Sequence, residues 1–139
     1  SIQVDMNVMA GSGLVGRVVE VGPNWAQITT VIDDTSNVSG MVLSTSDNLI
    51  VTGDLETMKN GYVRFSQLID SDDKVAVGDK VVTSNISDKY LPGILIGYIS
   101  YMEEDSNNLT KSGYITPVVD FEHLSQVLVI MEQKQSIEK

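Results

Sequence analysis

His123 is the one histidine in this chain of 139 residues. Any case for acid–base or nucleophilic chemistry near neutral pH has to begin with it. A chymotrypsin-like barrel arranges its triad in the chain order His, Asp, Ser. No aspartate follows His123, so that order cannot be built. The Gly-x-Ser-x-Gly elbow of the other common hydrolase type does not occur either. The chain has no cysteine, which removes disulfides, thiolate metal sites and a thiol nucleophile together. His123 therefore reads as a structural or surface residue, and the chain is expected not to be an enzyme.

The acidic residues fall into clusters at Asp33-Asp34, Asp70-Ser71-Asp72-Asp73 and Glu103-Glu104-Asp105. A calcium loop that starts at Asp70 would need glycine at its sixth position and glutamate at its twelfth. Val75 and Val81 stand there, so the clusters read as solvated turns. Paired carboxylates for glycoside hydrolysis need one perturbed group. None of the nineteen acids is singled out, and one Trp, five Tyr and two Phe are few to line a sugar cleft. Gly11-Ser12-Gly13-Leu14-Val15-Gly16 spells Gly-x-Gly-x-x-Gly. That fingerprint requires a helix after it, and Arg17-Val18-Val19-Glu20-Val21 is strand sequence. No metal and no cofactor is implied.

What must position these residues is β-structure. Short apolar runs at Ile2–Val8, Leu14–Val21, Ala26–Ile32, Gly40–Ser44 and Asn48–Thr52 alternate with turn signals. The series continues at Gly61–Phe65, Asp79–Ser84, Ile94–Met102, Gly113–Val118 and Gln126–Met131. Such regular spacing predicts an all-β sandwich or barrel. Within Ile94–Met102, alternation puts Ile94, Ile96, Tyr98 and Met102 on one face and Leu95, Gly97, Ile99 and Tyr101 on the other. Both faces are apolar, which predicts a central strand, and Gly97 in its middle predicts a bend or bulge. Arg64 alternates outward between Val63 and Phe65. Helix is expected only as single turns at Asp54–Lys59 and Asp120–Leu124. The structural glycines are Gly13, Gly16, Gly78, Gly93 and Gly97, expected to supply positive φ, close approach or bends.

The formal net charge is −10, which repels phosphate backbones and argues against nucleic acid. The nine basic residues include no adjacent pair, which argues against a basic membrane-binding patch. No apolar run approaches the ~20 residues of a spanning helix. The start at Ser1, without Met and directly in strand-like sequence, reads as a processed or excised piece of a longer protein.

Four blocks, taken in order, resemble the MreC family of rod-shape-determining proteins. Gly13-Leu14-Val15-Gly16-Arg17-Val18 leads to Gly22-Pro23-Asn24 and then to Thr29-Thr30-Val31-Ile32-Asp33-Asp34, with Ser36 and Val38. Val77-Gly78-Asp79-Lys80-Val81-Val82-Thr83-Ser84 resembles the family's Gly-Asp-x-Val-x-Thr-Ser segment. Tyr90-Leu91-Pro92-Gly93-Ile94-Leu95-Ile96-Gly97-Tyr98-Ile99 resembles its Phe-Pro-x-Gly-Ile-x-Val-Gly strand. Val119-Asp120-Phe121-Glu122-His123-Leu124 and the strand after it resemble its closing segment. Asn85 departs from the glycine usual after Thr-Ser, and Tyr-Leu-Pro stands in place of Phe-Pro.

The resemblance implies two small six-stranded-type β-barrels, distantly chymotrypsin-like but without a working triad. Residues 1–33 would belong to the first barrel, which lacks its opening strand here. Residues 34–132 would form the second barrel with closing strands that return to the first, and 133–139 would be a frayed tail. It also implies a parent protein anchored in the cell membrane, with this domain on the extracytoplasmic side. The implied function is that of a non-catalytic scaffold of the cell-wall elongation machinery, maintaining rod shape through self-association and through partners such as MreD and class B penicillin-binding proteins. Candidate contact anchors are Trp25, Tyr90, Tyr101, Met102 and Phe121. An exported ligand-binding barrel of another family is the alternative.

Overall fold

A computed structural model describes residues 2–34, 36–70, 72–87, 89–121 and 128–129. His123, most of the expected turn Asp120–Leu124 and the tail 133–139 lie outside the described residues. Among the described residues there are ten strands: β1 (Asn7–Ala10), β2 (Gly13–Val21), β3 (Ala26–Thr30), β4 (Asn37–Val42), β5 (Asn48–Thr52), β6 (Val63–Leu68), β7 (Lys80–Thr83), β8 (Leu95–Glu104), β9 (Lys111–Pro117) and β10 (Leu128–Val129). One helical turn, α1 (Leu55–Met58), stands among them. Asp54 caps α1, accepting from the Glu56 amide at 3.0 Å and the Thr57 hydroxyl at 2.8 Å.

Strands β4 to β9 close a barrel. Each pairs antiparallel with its neighbours in the ring order β4-β5-β6-β9-β8-β7 and back to β4. Alternation sends Val38, Val42, Leu49, Val51, Val63, Phe65, Val81 and Ile115 inward, where all are buried. Arg64 points out between Val63 and Phe65. The N-terminal module is an open antiparallel sheet among the described residues, ordered β10-β1-β2-β3. It joins the barrel where β2 meets β8 in parallel at Gly13 and Leu95.

β2 lies between two cores. Leu14 packs into the barrel cluster, while Val15 and Val18 pack with Met6, Val8 and Val119. Strict alternation would not place Val15 and Val18 on one side. A register shift does so, because Val8 pairs with Gly16 and Met9 with Leu14, leaving Val15 as the extra residue.

β8 breaks alternation in the same way. Val81 pairs with Gly97 and Val82 with Leu95, so Ile96 is bulged. The expected two-faced pattern is thereby corrected: Ile96 and Ile99 both enter the barrel core, and Tyr98 turns outward. β1 begins later than the apolar run Ile2–Val8 predicts, because Asp5 adopts φ 73 and turns the chain before it. β3 stops at Thr30, where the Asp33 amide bonds back to the Thr30 carbonyl.

Candidate functional site

Two places on this scaffold gather chemistry-bearing side chains. The first is the seam between the N-terminal sheet and the barrel. Asn7, Arg17 and Thr29 form a cross-strand row over β1, β2 and β3. Asn7 is buried and clamps the segment before β8: its Nδ2 donates to the Lys89 carbonyl at 3.0 Å, and its Oδ1 accepts from the Leu91 amide at 2.8 Å. Asp5 accepts from Arg17 at 2.8 Å and from Lys89 at 3.2 Å. The Tyr90 phenol is pushed above its ordinary value, first by burial, while the nearby Arg17 guanidinium works the other way. Arg17, Thr29, Lys89 and Tyr90 are among the residues that line a polar pocket of about 250 Å³.

The second place is the barrel wall. Tyr62, just before β6, Tyr114 on β9 and Tyr101 on β8 line up, with ring centroids 5.8 and 5.9 Å apart and planes tilted by 35°. All three are exposed. The Tyr101 hydroxyl donates to Glu103 at 2.8 Å, and this bond raises its phenol pKa. Offset rings at this spacing attract one another and hold a flat apolar face in water.

Of the anticipated contact residues, Trp25 and Tyr101 are exposed, at 53% and 47%. Tyr90 is not a surface anchor: it is 3% exposed and packs in the barrel core. Met102 and Phe121 are half-buried against the cores, Phe121 touching both. The Trp25 ring lies back over Gly22, in a turn closed by the Gly22 amide and the Trp25 carbonyl at 2.9 Å. Tyr62 and Tyr114 were missed. Their outward alternation against Val63 and Ile115 was readable, but their adjacency depends on strand pairing.

Among the anticipated glycines, Gly78 and Gly93 take φ +98 and +82. The other three face tight neighbours. A Cβ on Gly13 would meet the Val118 and Val119 side chains, one on Gly16 the Thr29 carbonyl at 2.0 Å, and one on Gly97 the Thr116 carbonyl at 2.2 Å. Strands pack that closely only around glycine.

The acidic clusters divide. Asp70 is not solvated, as its turn sequence suggested. Its side chain is 1% exposed, pairs with Lys111 at 3.0 Å and accepts from the Lys74 and Val75 amides. Glu103 and Glu104 are exposed, and Asp105 accepts from the Thr110 and Ser112 hydroxyls at 2.6 Å. Among the described residues, no group of three His, Asp or Glu is placed to hold a metal.

The family model of the rod shape-determining protein MreC, barrel core, matches residues 1–131. The chain is 30% identical to the cell shape-determining protein MreC of Listeria monocytogenes, over 97% of this chain and 46% of that one. It spans about half the length, or less, of the curated relatives it matches. A solved Listeria MreC structure superposes with a TM-score of 0.81 at 32% identity, covering 93% of this chain and 61% of that one. A chain from the complex between penicillin-binding protein PBP2 and MreC of Helicobacter pylori shares the fold. It has a TM-score of 0.68 and 14% identity, covering 88% of this chain and 74% of that one. The closed six-stranded barrel with its added strands is the architecture of these structures, as the all-β reading anticipated.

Proposed function

Because this chain belongs to the MreC family of rod shape-determining proteins, we propose that it is a non-catalytic scaffold of the cell-wall elongation machinery. In this reading it maintains rod shape by binding peptidoglycan-synthesis proteins, class B penicillin-binding proteins first among them. The observation that carries the reading is the family match across residues 1–131. The fold shared with the MreC complexed to PBP2 in Helicobacter pylori supports the choice of partner. MreD and further copies of the chain are the other partners in this proposal.

The parent protein is placed in the cell membrane with this domain on the extracytoplasmic side. No helix among the described residues is long and apolar enough to cross a membrane. Residues 1–33 are assigned to a first module, and 34–132 to the second barrel with closing strands that return to the first. The pairing of β10 with β1 supports that return.

The contact surface in this proposal is the tyrosine face, with Trp25 as a separate anchor. A rigid aromatic patch gives contact area at low cost in side-chain entropy. The test is crosslinking of the full-length protein in its own cells, followed by labelling of captured proteins with a fluorescent β-lactam. Labelled penicillin-binding proteins in the captured fraction support the scaffold. Their absence, with the bait folded and correctly located, overturns it.

A further inference from the structure

We propose that one end of the barrel is a docking surface for a basic segment of a protein partner, one that presents Lys or Arg side chains beside aliphatic ones. The proposal concerns the loops at that end, not the tyrosine wall, and stands whichever protein the wall contacts.

Topology gathers the surface. β4, β6 and β8 run the same way round the ring, each antiparallel to its neighbours. The β4–β5, β6–β7 and β8–β9 connections therefore emerge at one end. Two grooves run between them. Ile69 and Leu109 line the first, of about 290 Å³, together with Asp73 and Glu104. Asp47, Asp72 and Lys74 help to line the second, of about 270 Å³. Asp70 borders both grooves, so the three connections make one continuous surface.

The apolar side chains at this end are unusually bare. Ile69, Val77 and Leu109 are 60%, 63% and 75% exposed. Among the described residues the only other aliphatic side chain exposed that far is Ile86. Single exposed aliphatics need no explanation. Three of the four barest at one barrel end, two of them lining one groove, mark a contact surface.

Charge chooses the occupant. Residues 43–47, 69–79 and 103–110 hold eight of the nineteen acids and one of the nine bases. With Lys80 and Lys111 on the adjoining strands counted, eight acids face three bases, a formal −5, which is half the net charge of the chain. The Lys111 cation is already held by Asp70 and Asp73. Asp72, Glu103 and Glu104 are exposed. Such a field repels anionic lipid and nucleic acid, and it repels a second copy that presents the same end. It attracts a cationic polypeptide, and complementary charge of this kind steers and selects partners. The pairing of aliphatic and acidic groups in one groove narrows the class further. A Lys or Arg stem packs on apolar surface while its head group stays with carboxylates, and a neighbouring Leu or Ile of the same segment covers what remains of Ile69 and Leu109.

The test is a heteronuclear NMR titration of the whole chain with three acetylated, amidated peptides at constant ionic strength. One repeats Lys-Leu-Gly, one Lys-Ser-Gly and one Glu-Leu-Gly. The Lys-Leu-Gly peptide is expected to give saturable shifts at the Ile69, Asp73, Leu109 and Thr110 amides, with a dissociation constant on the order of 1 mM or below. The Lys-Ser-Gly peptide should bind at least about threefold more weakly, and the Glu-Leu-Gly peptide should give no saturable shift. An Asp72→Asn, Glu104→Gln variant should weaken Lys-Leu-Gly binding at least about threefold; both positions are exposed, so the fold should survive. An Ile69→Ser, Leu109→Ser variant should bring Lys-Leu-Gly down to the affinity of Lys-Ser-Gly. A Glu20→Gln, Glu56→Gln variant removes the same charge elsewhere on the surface and should leave binding unchanged. Equal loss in that control, equal affinity for the two Lys peptides, or shifts spread over the whole surface would each reduce the effect to unspecific attraction and overturn the proposal. So would self-association of the peptide-free chain that the Ile69→Ser, Leu109→Ser variant abolishes, since a second copy would then be the occupant.

Discussion

Asp70 and Lys111 meet at 3.0 Å where β6 ends and β9 begins, with side chains 1% and 12% exposed. Strand pairing sets the contact, since Leu68 lies opposite Lys111 in the ladder. Asp70 also accepts the Lys74 and Val75 amides, at 2.9 and 3.0 Å, so one carboxylate fixes a turn and joins two strands. Removing one partner of a buried pair leaves the other uncompensated, at a cost of about 3–5 kcal/mol. Asp70→Ala should therefore lower unfolding free energy by about that amount, toward the lower end because Lys111 keeps its contact with Asp73. Urea denaturation checks this. A loss below about 0.5 kcal/mol would mean the pair is not buried in solution.

The same carboxylate sets an acid limit. Burial pushes the Asp70 pKa up, but the hydrogen bond from Lys111 and the two amides outweigh it, and the net direction is below the ordinary 3.8. Asp54 and Asp105 shift the same way, chiefly through the Thr57 and Ser112 hydroxyls. A depressed folded-state value means that the unfolded chain binds more protons in that window. The stabilisation is complete above the unfolded value and is lost as pH falls through the folded one. Unfolding free energy measured from pH 6 downward should therefore decline below about 3.8. Asp70→Asn should start lower and decline less steeply; parallel curves for the two proteins would refute the linkage.

Local sequence and tertiary structure contributed differently to what could be read. All ten strands were legible, because apolar runs and turn residues are local signals. The closed ring was anticipated only through the family resemblance, since β6 pairs with β9 across more than forty residues of chain and no local signal shows that pairing. Alternation failed at Val15 and Ile96, where an extra residue on one strand reverses the faces beyond it. Asp70 was misread because its partner Lys111 is distant in sequence. Tyr90 was misread because an aromatic beside Pro92-Gly93 resembles a loop residue until packing is known. The tyrosine face needed three strands in register. Asn7 stood in an apolar run with nothing local to mark it as a clamp.

Gly97 permits the close approach of β8 and β9. A Cβ there would lie 2.2 Å from the Thr116 carbonyl oxygen and 2.9 Å from the Pro117 Cα. Both are backbone atoms, so no rotamer change relieves the clash. Gly97→Val should destabilise the protein by about 1–3 kcal/mol, with Gly97→Ala nearer the lower end. Thermal unfolding of both variants tests this, and an unchanged midpoint in the valine variant would sink the argument.

Asn7 joins β1 to the segment before β8 through two hydrogen bonds at 3.0 and 2.8 Å. Asn7→Ala strands the Leu91 amide and the Lys89 carbonyl in a buried seam. Each orphaned group costs about 1–3 kcal/mol. The variant should lose about 1–3 kcal/mol overall, because water can reach part of the seam. Amide hydrogen exchange should accelerate at Leu91 more than at Val51 in the barrel core. Equal acceleration at both would show general destabilisation rather than a loosened seam.

The tyrosine face separates stability from recognition. Tyr101 and Tyr114 stack on the outside of the barrel, and their interaction is worth about 0.5–1.5 kcal/mol beyond area burial. A Tyr101→Ala, Tyr114→Ala double variant should lose about that much stability and remain folded. If the face is the docking surface, capture of penicillin-binding proteins should fall at least about tenfold, the scale of an interface hot spot. Trp25→Ala, on the β2–β3 turn, serves as the comparison. A larger loss of capture there than at the tyrosines would move the docking surface to the N-terminal module, because the two anchors sit on separate elements and report on separate faces.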